Sequence, residues 1–170
     1  VLIIFSGLPG TGKTTLAREL ARRLGATYLR IDTIEQALKN SSLRIDPVED
    51  AGYAAGFALA ADNLRIGRVV VADSVNPIDL TRSAWRNVAE RAGCEAVDVE
   101  VICSDPAEHR RRVETRVSDI ASLKQPTWAE VQGRDYAPWN SERIVIDTTG
   151  KPPAEMLAEL LDRLPSPGNS

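Results

Sequence analysis

The stretch Gly7-Leu8-Pro9-Gly10-Thr11-Gly12-Lys13-Thr14 has the residue types and spacing to hold a polyphosphate. Glycines let the backbone wrap such a group closely, so that several amides can point at its oxygens. Lys13 can reach the outer phosphates, and the Thr14 hydroxyl can ligate a divalent cation such as Mg²⁺. Thr15 adds a candidate hydroxyl for the innermost phosphate. Context strengthens the GxxxxGK[ST] match. An apolar run, Val1 to Phe5, precedes the loop and a helical pattern follows it, placing a helix N-terminus where the anion would sit. The competing reading is a glycine turn that only caps a helix. The expected nucleotide-binding set is therefore Gly7, Leu8, Pro9, Gly10, Thr11, Gly12, Lys13, Thr14 and Thr15, with ATP as ligand and Mg²⁺ as its cation.

Two aspartates fall at the carboxyl ends of expected strands, where open parallel sheets bind their ligands. Asp73 closes VVVAD, an apolar strand followed by a carboxylate. In this Walker B pattern the acid holds Mg²⁺ directly or through water; a turn role before Pro77 competes. Asp32 follows the second strand. A carboxylate there can orient an acceptor hydroxyl beside the terminal phosphate and take its proton. Asp32 and Glu35 also read as a helix-capping pair, and the two roles are compatible.

Four arginines, Arg110, Arg111, Arg112 and Arg116, precede an irregular stretch. Arg112 and Arg116 share a helix face. An arginine at the root of a flexible segment can neutralise charge on a moving phosphoryl group while that segment excludes water. Arg116 is the first candidate to meet ATP, Arg112 the second and Arg134 a weaker third. A solvated face paired with Glu108 and Glu114 is the alternative.

Alternating strands and helices must position these groups. Strands are expected at Val1–Phe5, Thr27–Ile31, Val69–Asp73, Ala96–Cys103 and Arg143–Asp147. Helices are expected at about 13–24, 32–40, 50–66, 79–92, after Asp105-Pro106, and 153–164. Leu16, Leu20 and Leu24 recur every four residues, and Gly25 supplies the stop. From Ser118 to Ser141 the periodicity is poor. The pattern implies an α/β fold with a parallel sheet. One domain is expected over 1–164, with a lid at about 116–141 and a flexible tail at 165–170.

With 170 residues, 43% of them hydrophobic, the chain can build a sizeable core. A formal charge of −3 argues against a sequence-independent nucleic-acid binder. Cys94 and Cys103 lack metal or disulfide spacing and read as packing residues. The single histidine, His109, reads as a surface residue. No apolar run is long enough to span a membrane, and the expected compartment is the cytoplasm.

Together, GLPGTGKTT, Asp32 in LRIDTIEQAL, VVVADSVNP, VICSDPAEHRRRVETR and RIVIDTT resemble the small P-loop kinases related to adenylate kinase. The nearest branch holds chloramphenicol phosphotransferase, zeta-toxin-like kinases, adenylylsulfate kinase and the kinase domain of polynucleotide kinase. The resemblance implies a three-layer P-loop NTPase fold with a five-stranded sheet in the order 2-3-1-4-5 and an Arg-bearing lid. It implies Asp32 as base or acceptor ligand, Asn76 as an acceptor contact, Arg116 on ATP, and Thr148 to Gly150 near the adenine. Nucleoside-monophosphate kinases of this kind carry an arginine early in the helix after the second strand. Here that helix begins Asp32-Thr33-Ile34-Glu35, which weighs against a phosphate-bearing acceptor unless Arg44 substitutes.

The implied activity is transfer of the γ-phosphoryl group of ATP to a hydroxyl of a small molecule. Lys13, Asp32 and Arg116 are the expected catalytic residues, Thr14 and Asp73 the metal ligands. Tyr53, Arg82 and Trp85 are candidate walls of the acceptor pocket, with core packing the competing role for Tyr53. A nucleic-acid 5′-hydroxyl kinase and a nucleotide-dependent regulatory ATPase remain open as alternatives.

Overall fold

The computed structural model describes residues 1–165. Five strands, β1 (Leu2–Ser6), β2 (Thr27–Arg30), β3 (Val70–Asp73), β4 (Ala96–Ile102) and β5 (Ile144–Asp147), form one all-parallel sheet in the order β2-β3-β1-β4-β5. Every residue of β1 is buried, in keeping with the continuous apolar run Leu2–Phe5 rather than an alternating one. Phe5 pairs with Asp73, the last residue of β3, while on the other side Ser6 pairs with Glu100 and β4 runs on to Ile102. The loop leaving β1 then opens between the two halves of the sheet, the usual ligand crevice of open α/β sheets.

Helices cover both faces. On one, α1 (Lys13–Leu24) and α7 (Pro153–Arg163) bury Leu16, Leu20, Met156 and Leu160 against Ile3, Phe5 and Val99. On the other, α3 (Ala51–Arg65) and α4 (Asp79–Arg91) bury Ala60, Leu64, Trp85 and Ala89 against Leu2, Ile4 and Val70. Each fully buried leucine contributes about 1.5–3 kcal/mol of transfer free energy. The four-residue spacing of Leu16 and Leu20 places both on the sheet side of α1, and left-handed Gly25 ends that helix.

α2 (Ile31–Asn40) follows β2 without a loop. α5 (Pro106–Thr115) starts as its sequence requires: Asp105 accepts from the amides of Ala107 and Glu108, and Pro106 sits in the first turn. The 116–141 stretch is irregular except for α6 (Trp128–Gln132), a short helix the periodicity does not announce. A reciprocal capping box between Thr127 and Glu130 starts it. Of the expected tail 165–170, residues 166–170 lie outside the described residues. Among the described residues no helix is long and apolar enough to cross a membrane.

Candidate active site

The phosphate-type loop is fixed from behind. Gly7 has φ 147°, and a Cβ added there would lie 2.3 Å from the Val101 carbonyl oxygen, so only glycine fits between β1 and β4. The loop's carbonyls are bonded on the protein side. Leu8 O accepts from the Thr11 hydroxyl at 2.9 Å, Pro9 O lies 2.8 Å from His109 Nε2, and Thr11 O accepts from Thr148 Oγ1 at 2.7 Å. These oxygens would repel a phosphate if turned inward. The amides of Lys13, Thr14 and Thr15 open α1 and have no intrahelical acceptor, as at any helix start, which makes this end an anion site.

Lys13 Nζ donates to Asp73 Oδ1 at 2.5 Å, and Tyr28 Oη donates to Asp73 Oδ2 at 2.7 Å. Burial alone would raise the Asp73 pKa. The charge and hydrogen bond of Lys13, helped by Tyr28 and Thr14, outweigh burial and hold it below the ordinary carboxylate range. Asp73 is therefore ionised, with the Thr14 hydroxyl beside it. One carboxylate and one hydroxyl are a fitting donor set for Mg²⁺, which keeps several waters and takes the rest of its shell from substrate phosphates. No cluster of three or more His, Cys, Asp or Glu exists among the described residues, so a dedicated all-protein metal cage is not part of the arrangement.

A cleft of about 1130 Å³ joins this loop to the ends of β2 and β3. Lys13, Thr14, Thr15, Asp32 and Arg116 all line it. So do Leu8, Pro9, Gly10 and Gly12 of the loop, and Arg112 and Arg134. The helix-cap alternative for Asp32 is not realised. α2 begins one residue earlier, its N-cap is Arg30 and no side chain caps it, leaving Asp32 inside the first turn. Beside it stand Glu35, Tyr53 and Ser74. Burial, and then the Asp32 charge, raise the Glu35 pKa. The Ser74 hydroxyl is buried without a hydrogen-bond partner, a polar group left facing this region.

The AAA domain family AAA_33 matches residues 2–134, most of the chain and every group just described except Thr148. The chain belongs to this family. It is 29% identical to a shikimate kinase of Syntrophus aciditrophicus, over 96% of this chain and 91% of that protein. It is 30% identical to a UPF0200 protein of Aeropyrum pernix over 101 residues, covering 51% of this chain and only 54% of that relative. Among solved structures, a putative kinase of Chloroflexus aurantiacus superimposes with a TM-score of 0.72, covering 97% of this chain and 98% of that one. At 20% identity that likeness is one of fold, and the fold is that of the small P-loop kinases.

Several expected positions are corrected within this AAA_33 chain. Asn76 is fully buried; its amide donates to Phe5 O and Ser6 Oγ, both at 3.1 Å, so it ties the loop after β3 to β1 rather than reaching an acceptor. Arg82 and Trp85 are not pocket walls but core, because α4 turns both inward. Arg82 donates to the carbonyls of Asn76, Pro77, Ala137 and Pro138 and packs on the rings of Tyr136 and Trp139. His109 is buried, its ring edge-on to Trp128. Arg112 faces the cleft with its guanidinium already bonded to Thr148 and Glu108. Gly7 and Thr11 lie behind the loop, lining a smaller hollow with His109 and Tyr136. Arg44 is exposed and outside the cleft. Sequence reasoning missed Tyr28, Ser74 and the pairing of Asp119 with Arg18 and Arg30. The polar Tyr28 at the otherwise half-apolar β2 was the one available signal.

Proposed function

We propose that the chain is an ATP-dependent phosphotransferase that moves the γ-phosphoryl group to a hydroxyl of a small molecule. The observation that carries this reading is that Asp32 and the Lys13–Thr14 end of the phosphate loop line one cleft, with Asp32 unengaged as a helix cap. The resemblance to a shikimate kinase over nearly the full chain supports the same reaction class.

The triphosphate lies on the loop amides. Mg²⁺, held by Thr14 and Asp73, supplies charge neutralisation on the phosphate oxygens when bound. The acceptor oxygen bonds to the γ-phosphorus as the bond from that phosphorus to the β–γ bridging oxygen breaks. ADP leaves, and the hydroxyl proton passes to the Asp32 carboxylate. Lys13 and Arg116 bear on the charge of the moving group. The acceptor end holds Glu35, Tyr53 and Ser74, and carries no arginine in the first turn of α2. The carboxylates of Asp32 and Glu35 favour a hydroxyl-bearing acceptor, and Arg30 and Arg134, which line the same cleft, are cations that an acidic group on it would meet.

The test is incubation with MgATP and a panel of small hydroxyl compounds, followed by mass measurement. A product heavier by one phosphoryl group, formed together with ADP, supports the proposal. Release of inorganic phosphate at one rate with and without every compound points instead to a regulatory ATPase. Phosphorylation confined to oligonucleotide 5′ ends points to a nucleic-acid kinase.

A further inference from the structure

Arg116 lines the cleft without a hydrogen-bond partner of its own, with Asp32 as its nearest counter-charge. Its guanidinium makes no hydrogen bond among the described residues, and its Nε is buried and unsatisfied. Burial lowers its pKa. The Asp32 carboxylate offsets part of that cost, and Arg30 on the other side adds to it, so the place of this guanidinium depends on how the backbone carrying it is held.

The backbone is held on both sides. Four residues upstream, Arg112 donates to Thr148 Oγ1 at 2.7 Å and Thr148 O at 3.0 Å. Three residues downstream, the Asp119 carboxylate accepts from Arg30 at 2.7 Å and also from Arg18. Thr148 follows β5 and Arg30 ends β2, the two opposite edges of the sheet. Through these arginine side chains the stretch from 112 to 119 links the two edges of the sheet and lines the same cleft as the phosphate loop. Arg18 lies one helical turn beyond Thr14, on the same side of α1. Arg30, and then Arg18, hold the Asp119 carboxyl down at about 2, so the bridge stays charged at any ordinary assay pH.

We infer that Asp119 is a positioning residue: by bridging Arg18 and Arg30 it latches the 117–126 segment across the cleft and holds Arg116 over the phosphate loop. This rests on the phosphotransferase reading of the cleft. Arg18 and Arg30 act here as the latch's seat, and the group the latch serves is the phosphoryl group in transfer.

Two readouts on Asp119→Asn test it, neither needing the acceptor. The first is amide hydrogen exchange over 117–126 in the nucleotide-free protein, expected to speed up while α1 and the sheet are unchanged. The second compares MgADP with MgADP plus aluminium fluoride, a mimic of the phosphoryl group in flight. Affinity for the mimic should fall by about tenfold or more, within the roughly hundredfold that a 1 Å misplacement can cost, while MgADP alone changes little. Asp119→Glu should restore most of both. Arg18→Gln, on a partly exposed helix face, repeats the test if Asp119→Asn folds poorly. Unchanged exchange overturns the latch, and faster exchange with unchanged mimic affinity overturns its hold on Arg116. Absence of MgADP binding by the wild-type chain removes the phosphotransferase reading, while the exchange arm still decides the latch.

Discussion

Lys13 and Asp73 form a buried ion pair, 2.5 Å from Nζ to Oδ1, that joins the phosphate loop to the end of β3. Lys13 is 8% exposed and Asp73 1%, so neither charge is relieved by water. The pair fixes the two groups on which a nucleotide and its cation would depend before either arrives.

Removing one partner strands the other. Lys13→Ala leaves an anionic Asp73 with only Tyr28 and Thr14, and should cost about 3–5 kcal/mol of stability, the usual penalty for breaking a buried pair. It should also abolish MgATP binding. Adding Asp73→Asn should recover part of the stability and none of the binding. Denaturant unfolding of the two single variants and the double variant measures the coupling.

Arg82 joins the loop after β3 to the return arm of the 116–141 segment. Its guanidinium reaches four carbonyls, and the Pro77 carbonyl also accepts from the Ala137 amide at 2.8 Å. A lysine cannot reproduce the planar fork or the stacking on Trp139. Arg82→Lys should cost on the order of 2–4 kcal/mol, because buried carbonyls lose their donors. Thermal melting gives the loss. Tryptophan emission should report release of Trp139.

Much of this arrangement was legible in the sequence, for local reasons. The GxxxxGK[ST] spacing marked the loop, and Asp105-Pro106 marked the start of α5. Expected helix bounds at 13–24 and 79–92 compare with Lys13–Leu24 and Asp79–Arg91. The order 2-3-1-4-5 came with the family resemblance, and the sheet has it. What stayed hidden depends on partners distant in sequence. Tyr28 gains its meaning from Asp73, Asp119 from Arg18 and His109 from Pro9. Arg82 is expected as a pocket wall and lies in the core instead; charged residues are rarely buried, and here four carbonyls and two rings make the exception. α6 differs, since Thr127 and Glu130 spell out its capping box locally, within a stretch whose periodicity is poor.

Glu35 gives a pH-dependent expectation. Its folded-state pKa is raised, so ionising it in the folded protein costs stability at neutral pH. That cost disappears as pH falls through the raised value to the ordinary one near about 4.3. Glu35→Gln should therefore be more stable than wild type at pH 7 and show no advantage below about pH 4. Denaturant midpoints at the two pH values decide it.

In the proposed reaction Asp32 takes the acceptor proton, in a cleft whose other end would hold MgATP. The most direct measurement is single-turnover transfer by Asp32→Asn with a substrate found in the hydroxyl screen, alongside MgATP calorimetry. The expected result is MgATP affinity within about twofold of wild type and transfer slowed by roughly 10²–10⁴, the range for losing a general base. Transfer at the wild-type rate would contradict it.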